Sequence, residues 1–184
     1  MRNKVISLFS LLVLCSVFGC KGSSYSLHAS PSKMPQTRTK QTYHWQKMNA
    51  KGVDWKKVKA SYWKKHLSPL AFRVCRQAGT ERPFTGKHLH NKKKGLFVCS
   101  SCGHVLFDAK TKFRSGTGWP SFYDVYNKKS VKLHTDTSYG MTRTEVVCGR
   151  CKAHLGHVFK DGPKPTGLRY CMNSVCLDHI PTKK

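Results

Sequence analysis

The chain has 184 residues, 39% of them hydrophobic, which leaves room for one domain with a real core plus extensions rather than several domains. Lys and Arg total 34 against eight Asp and Glu, a formal charge of +26 that favours anionic partners such as membrane surfaces, nucleic acid or acidic substrates over basic ones. That charge does not specify a fold, and a solvated basic surface accounts for it equally well.

Met1-Arg2-Asn3-Lys4 is a basic lead-in to an apolar run over residues 5–18. The run is shorter than the roughly 20 residues of a spanning helix, which favours a cleaved signal peptide over a permanent anchor. Val17-Phe18-Gly19-Cys20 resembles the lipobox of bacterial lipoproteins, which implies cleavage before Cys20 and a lipid on its sulfur. Plain secretion is the alternative. Residues 1–19 are therefore expected to be a lipoprotein-type signal peptide, and the mature protein an exported, lipid-anchored component of a bacterial cell envelope facing the periplasm. Residues 20–42, rich in Ser, Pro, Thr and Lys without hydrophobic periodicity, read as a flexible tether.

Residues 43–184 form the expected domain. Trp45, Trp55 and Trp63 alternate with lysines, and Val53, Val58 and Trp63 are loosely helix-spaced, so a short amphipathic segment is expected. Aromatics among lysines suit nucleic acid or lipid, but packing against the domain is the commoner use. Ser68-Pro69 has the form of an N-cap followed by Pro at the first helical position, with a helix running to about Ala78 before Gly79. Beyond Gly79 short β-rich runs, 95–98, 105–107, 131–133, 142–147, 157–159 and 168–170, alternate with Gly, Pro, Asn and Asp. This predicts a mainly antiparallel β domain behind a small helical prelude.

The nine cysteines divide by spacing. Cys15 falls in the signal and Cys20 at the lipobox. Cys99/Cys102 and Cys148/Cys151 form two Cys-x-x-Cys pairs, and four thiolates meet the tetrahedral preference of structural zinc. Disulfides or thioredoxin-like redox pairs are the alternatives, since export permits disulfides. Cys171 has Arg169 two residues before it and Asn173 two after, so on an extended strand all three project from one face. A neighbouring guanidinium favours the thiolate, the nucleophilic form, and Asn173 has the amide to bond a substrate oxygen or a water. A structural cysteine on a strand is the bland alternative. His154 and His157 are suited either to completing a metal site or to general acid chemistry near neutral pH.

The segments Gly79-Thr80-Glu81-Arg82-Pro83-Phe84-Thr85-Gly86, Cys99-Ser-Ser-Cys102-Gly103 and Lys112-Phe113-Arg114-Ser115-Gly116-Thr117-Gly118-Trp119-Pro120-Ser121-Phe122 stand in order along the chain. Cys148-x-x-Cys151, His154-Leu-Gly-His157-Val-Phe159 and Arg169-Tyr-Cys171-Met-Asn173-Ser174 follow them. Together they resemble the methionine-R-sulfoxide reductase B family over residues 63–177. The resemblance implies a mainly β fold of two antiparallel sheets with a four-cysteine zinc site. It also implies thiol-dependent reduction of the R epimer of methionine sulfoxide in proteins, a repair of oxidised proteins. Carried over by position, Cys171 is the nucleophile that passes through a sulfenic acid. Trp119 is the wall for the substrate S-methyl group. His154, His157 and Asn173 surround the sulfoxide oxygen, supported by Asp161 and Arg169.

Many members of that family carry a resolving cysteine where this chain has Thr117. Cys75 is the expected substitute and Cys176 the second candidate; direct attack by an external thiol is the third route. Electrons for an exported protein must come from a thioredoxin-like donor, because the periplasm is oxidising. The expected partners are oxidised proteins, that reductant and, through the lipid, a membrane, with a monomeric chain. A basic zinc-ribbon module for nucleic acid is the rival reading, which the signal segment argues against.

Overall fold

The computed structural model describes residues 42–182. The expected signal peptide, Cys20 and the expected tether up to residue 41 lie outside the described residues.

Two short helices, α1 (His44–Ala50) and α2 (Ala60–His66), stand where one amphipathic segment is expected. Gly52, at φ 64°, turns the chain between them, so Val53 and Val58 fall in the connection rather than on a helix. The third helix, α3 (Pro69–Gln77), starts as predicted: the Ser68 hydroxyl accepts from the Ala71 N–H at 3.1 Å and Pro69 opens the first turn. It stops one residue early. Ala78 takes the left-handed conformation (φ 52°), and Gly79 follows with its N–H on the Arg73 carbonyl at 3.2 Å. The three tryptophans are buried in the core. Trp55 and Trp63 stack at 5.6 Å, and the Arg76 guanidinium lies 4.8 Å over Trp63. The tryptophans therefore pack against the domain, and the lysines between them face water.

Nine strands follow, all paired antiparallel. They are β1 (Gly95–Cys99), β2 (Val105–Asp108), β3 (Lys112–Phe113), β4 (Ser121–Phe122) and β5 (Val131–Asp136). The remaining four are β6 (Arg143–Cys148), β7 (His154–Phe159), β8 (Arg169–Met172) and β9 (Leu177–Pro181). One sheet runs β2-β1-β9 and the other β3-β4-β8-β7-β6-β5. The protein is thus mainly β, with two antiparallel sheets and few helices.

The core lies where the sheets meet. Phe107 of β2 stacks on Phe122 of β4 at 4.3 Å, and Phe97 of β1 meets the same ring edge-on at 5.0 Å. Burial of each such ring contributes on the order of 2 kcal/mol. Those contacts tie the small sheet to the strand next to β8, on which Cys171 sits.

Candidate active site and metal centre

Two hairpin turns carry the paired cysteines. Cys99 ends β1 and Cys102 lies in the turn to β2; Cys148 ends β6 and Cys151 lies in the turn to β7. Both turns close alike: the Gly103 N–H donates to the Cys99 carbonyl, the Lys152 N–H to that of Cys148, and both donors have positive φ, 70° and 59°. At Gly103 a side chain is excluded, because a Cβ there would collide with the Trp45 indole that covers the turn.

The four sulfurs are buried and lie within 4.8 Å of one another. Cys99–Cys151 and Cys102–Cys148 are separated by 3.7 and 3.6 Å. A tetrahedron with Zn–S bonds of about 2.3 Å has edges of about 3.8 Å, so the cluster fits zinc. Burial, then bonds from the other thiols, pushes Cys102 well above the usual thiol range, while the hydrogen bond from Cys102 leads those that hold Cys148 well below it. A divalent cation would satisfy all four sulfurs at once. Because β1 and β6 belong to different sheets, a metal held by the cluster would pin one sheet to the other.

Cys171 lies in the middle of the larger sheet, opposite Ser121 on β4 and His157 on β7. It is partly exposed. Gly156 at φ 153° lets β7 pass this close to β8: a Cβ there would collide with the Cys171 carbonyl. Thr117 Oγ1 stands 3.6 Å from Cys171 Sγ. Its hydroxyl continues to Ser115 Oγ at 2.9 Å and from there to Ser121 Oγ at 2.7 Å. On the strand, Arg169 alternates with buried Tyr170 and so shares the face of Cys171. Asp161 holds its guanidinium with two bonds of 2.9 Å, and the Arg169 pKa is raised by Asp161 first, with Cys171 adding to the effect.

In a regular strand, residues three apart point to opposite faces. Here β7 carries an extra residue, since Val146 pairs with Gly156 but Val147 with His154. The bulge returns His154 to the face of His157, with ring centroids 5.5 Å apart. His157 Nε2 is 2.7 Å from Asp136 Oδ2, and that carboxylate also accepts from Arg143 and Ser138. Burial lowers the His157 pKa from its ordinary value; Asp136 opposes the shift, and Arg143 and His154 reinforce it. His154 Nδ1 is 2.6 Å from Glu145 Oε1. Its Nε2 is buried and has no hydrogen-bond partner among the described residues.

Glu81 braces the site from beneath. Its buried carboxylate accepts from the backbone N–H groups of Ser174 (2.6 Å) and Val175 (2.9 Å), just past the strand that carries Cys171. Its own carbonyl accepts from the Trp119 indole N–H at 3.2 Å. Trp119 therefore stands at a position fixed relative to Cys171.

The SelR domain model matches residues 67–181. Peptide methionine sulfoxide reductase MsrB of Methanosarcina mazei is 61% identical over 115 residues, 62% of this chain and 82% of that protein. The MsrB of Pseudomonas savastanoi pv. phaseolicola is 58% identical over 119 residues, 65% of this chain and 91% of the relative. That of Cellvibrio japonicus is 53% identical over 124 residues, covering 67% and 89%.

The chain belongs to the SelR-domain family of MsrB reductases.

Within that family frame, three of the expected site residues have partners of their own. Cys75 and Cys176 form a disulfide with each other, and neither pairs with Cys171. At 1% and 0% exposure the two sulfurs are sealed in the core, where α3 packs on the turn after β8. β8 ends at Met172, and Asn173 continues in extended backbone with its N–H on the Leu155 carbonyl at 2.7 Å. The buried Asn173 amide makes two bonds: Oδ1 accepts from the Glu81 N–H at 3.0 Å and Nδ2 donates to the Leu155 carbonyl at 3.1 Å.

Asp136, Glu145 and Glu81 were not singled out from the sequence. The signal that could have found them is scarcity. In a chain with eight acidic residues, each carboxylate that does not merely balance a surface lysine is informative.

Proposed function

We propose that this chain reduces the R epimer of methionine sulfoxide in proteins, with Cys171 as the nucleophile. The observation that carries this reading is the state of the cysteines. Among the described residues Cys171 alone is neither in the metal cluster nor in a disulfide, and it stands partly exposed beside Thr117, Arg169 and His157. An oxidoreductase acting on methionine sulfoxide is the activity in keeping with the family.

The chemistry follows from bond polarity. The sulfoxide sulfur is partly positive and its oxygen partly negative. The Cys171 thiolate attacks that sulfur while a proton reaches the oxygen, and His157 is the donor in this reading. The S–O bond breaks and the oxygen ends on Cys171 as a sulfenic acid. The methionine sulfur gains two electrons and the Cys171 sulfur loses two. Trp119 offers an apolar, cation-attracting face to the polarised S-methyl group. Arg169, fixed by Asp161, keeps a positive charge on the nucleophile's face. His154 Nε2, buried and unpaired, is the second group available to the oxygen.

Recycling in this reading is direct. With Cys75 and Cys176 bonded to each other, an external thiol attacks the sulfenic acid, releasing water and leaving a mixed disulfide. A second thiol frees Cys171, and a thioredoxin-like dithiol supplies both. Cys99, Cys102, Cys148 and Cys151 would hold zinc, which would supply structural cross-linking. The expected setting is the cell envelope, with lipid on Cys20; intact mass of the mature chain tests that point.

The deciding assay compares R- and S-sulfoxide peptides with and without a thioredoxin-like reductant, for the native chain and Cys171→Ser. Turnover of the R epimer alone, lost in a variant that keeps its zinc and fold, is the expected result. Reduction that persists in Cys171→Ser would overturn the assignment.

A further inference from the structure

The loop that brings Thr117 to Cys171 also lines a cleft of about 610 Å³. Its apolar surface is built from Phe84, Phe113 and Trp119, and its charged surface from Lys92, Lys112 and Arg114. No Asp or Glu lines it. Phe84 is 68% exposed, with a left-handed backbone at φ 65°, and its N–H is tied to the Gly118 carbonyl at 2.8 Å. An exposed ring in that conformation, anchored to the loop before Trp119, is a contact surface rather than core.

The charges of the cleft are unbalanced. Ion pairs in the described residues join Asp54 to Lys57, Asp178 to Lys87, Asp136 to Arg143 and Asp161 to Arg169, and none reaches Lys92, Lys112 or Arg114. Lys112 is partly buried and donates to the Leu89 carbonyl at 2.8 Å; burial, then the charge of Lys92, lowers its pKa. Cations crowded without counterions, next to open aromatic rings, match an extended acidic segment whose carboxylates meet the basic side chains and whose stems lie on the rings.

We propose that this cleft receives the residues flanking the oxidised methionine and selects protein substrates in which those flanks carry Asp or Glu. The inference rests on the reductase reading above and names the substrate class for that site. Trp119 is shared by the cleft and the proposed S-methyl wall, so a peptide lying along Phe84 and Phe113 would place its sulfoxide beside Cys171.

The test uses the full zinc-loaded chain and two labelled peptides with one methionine R-sulfoxide each, flanked by Asp/Glu or by Lys/Arg, with N-acetyl methionine R-sulfoxide as the flank-free substrate. At low salt the acidic peptide is expected to exceed the basic one in kcat/KM by on the order of tenfold, the lower range of electrostatic focusing in charged clefts. Raising salt from about 0.01 to about 1 M shortens the screening length from roughly 30 to roughly 3 Å and should erase the difference. Lys92→Glu/Arg114→Glu should reverse the preference and leave turnover of the flank-free sulfoxide unchanged. Equal kcat/KM for both peptides at low salt, or an unaltered preference in the double variant, would overturn the proposal. Fluorescence anisotropy of the same peptides separates the two readings. Tighter binding of the acidic peptide, lost in the double variant, supports the cleft even if no sulfoxide is reduced, whereas reduction of the flank-free sulfoxide with equal peptide binding rejects the cleft alone.

Discussion

The Cys75–Cys176 disulfide separates a structural role from a catalytic one, and its removal gives a quantitative test. The two half-cystines are 101 residues apart, so the closed loop contains β1 to β8, both cysteine turns and Cys171. In the chain-entropy treatment, a loop of this size constrains the unfolded state by about 4.7 kcal/mol at 25 °C. Zinc also constrains any part of the unfolded chain that it still holds, so the loss expected in Cys75→Ala/Cys176→Ala is about 2–5 kcal/mol. Urea unfolding of the zinc-loaded chain, extrapolated linearly to zero denaturant, reads that loss. In parallel, multiple turnover of an R-sulfoxide peptide is followed with an excess of small dithiol. The double variant should be less stable and should still recycle, because Cys171 is reduced from outside. If turnover stopped after one event while stability stayed unchanged, one of these cysteines would be the resolving thiol and the buried-staple assignment would be wrong.

Three further expectations can be checked directly. Asp136 raises the His157 pKa against burial, so Asp136→Asn should move the imidazole titration to lower pH; each unit costs about a factor of ten in protonated His157 near neutrality. An NMR titration showing an upward shift would contradict the assigned sign. Thr117→Cys places a thiol where an oxygen now lies 3.6 Å from Cys171 Sγ, and a small shift reaches the disulfide distance of about 2.05 Å. After one turnover peptide mapping should find that thiol bonded to Cys171, and a persistent free sulfenic acid would refute the geometry. Metal analysis should return one zinc per chain; because structural zinc in small folded units is held by about 10–16 kcal/mol, its removal should unfold the domain, and an unchanged melting temperature would rule out the sheet-pinning role.

Much of this site was legible because its chemistry is written in local spacing. Two Cys-x-x-Cys pairs announce a tetrahedral cluster regardless of what lies between them, and the Ser68-Pro69 cap fixes a helix start. The short strands β3, β4 and β9 escaped because two paired residues, or a Leu-Asp-His-Ile run that does not alternate, carry little periodic signal. The His154–His157 pair was found by proximity in sequence, yet only the bulge opposite Val146 and Val147 puts both rings on one face. The disulfide joins residues 101 apart, and nothing in the local sequence around Cys75 or Cys176 encodes that pairing.

The distribution of acidic residues bears on the proposed role of His157 as proton donor in a strongly basic chain. In a molecule of charge +26 the surrounding field opposes imidazolium, and Arg143 and His154 do so at close range for His157. Of eight carboxylates, four serve the site: Asp136 on His157, Glu145 on His154, Asp161 on Arg169, and Glu81 beneath the strand end. Each acts on its partners at hydrogen-bond range, where its influence exceeds that of distant lysines screened by salt. The uncompensated cations are then left for the surface, among them Lys92, Lys112 and Arg114 beside Trp119. The carboxylates missing from that cleft are, on this reasoning, supplied by the substrate.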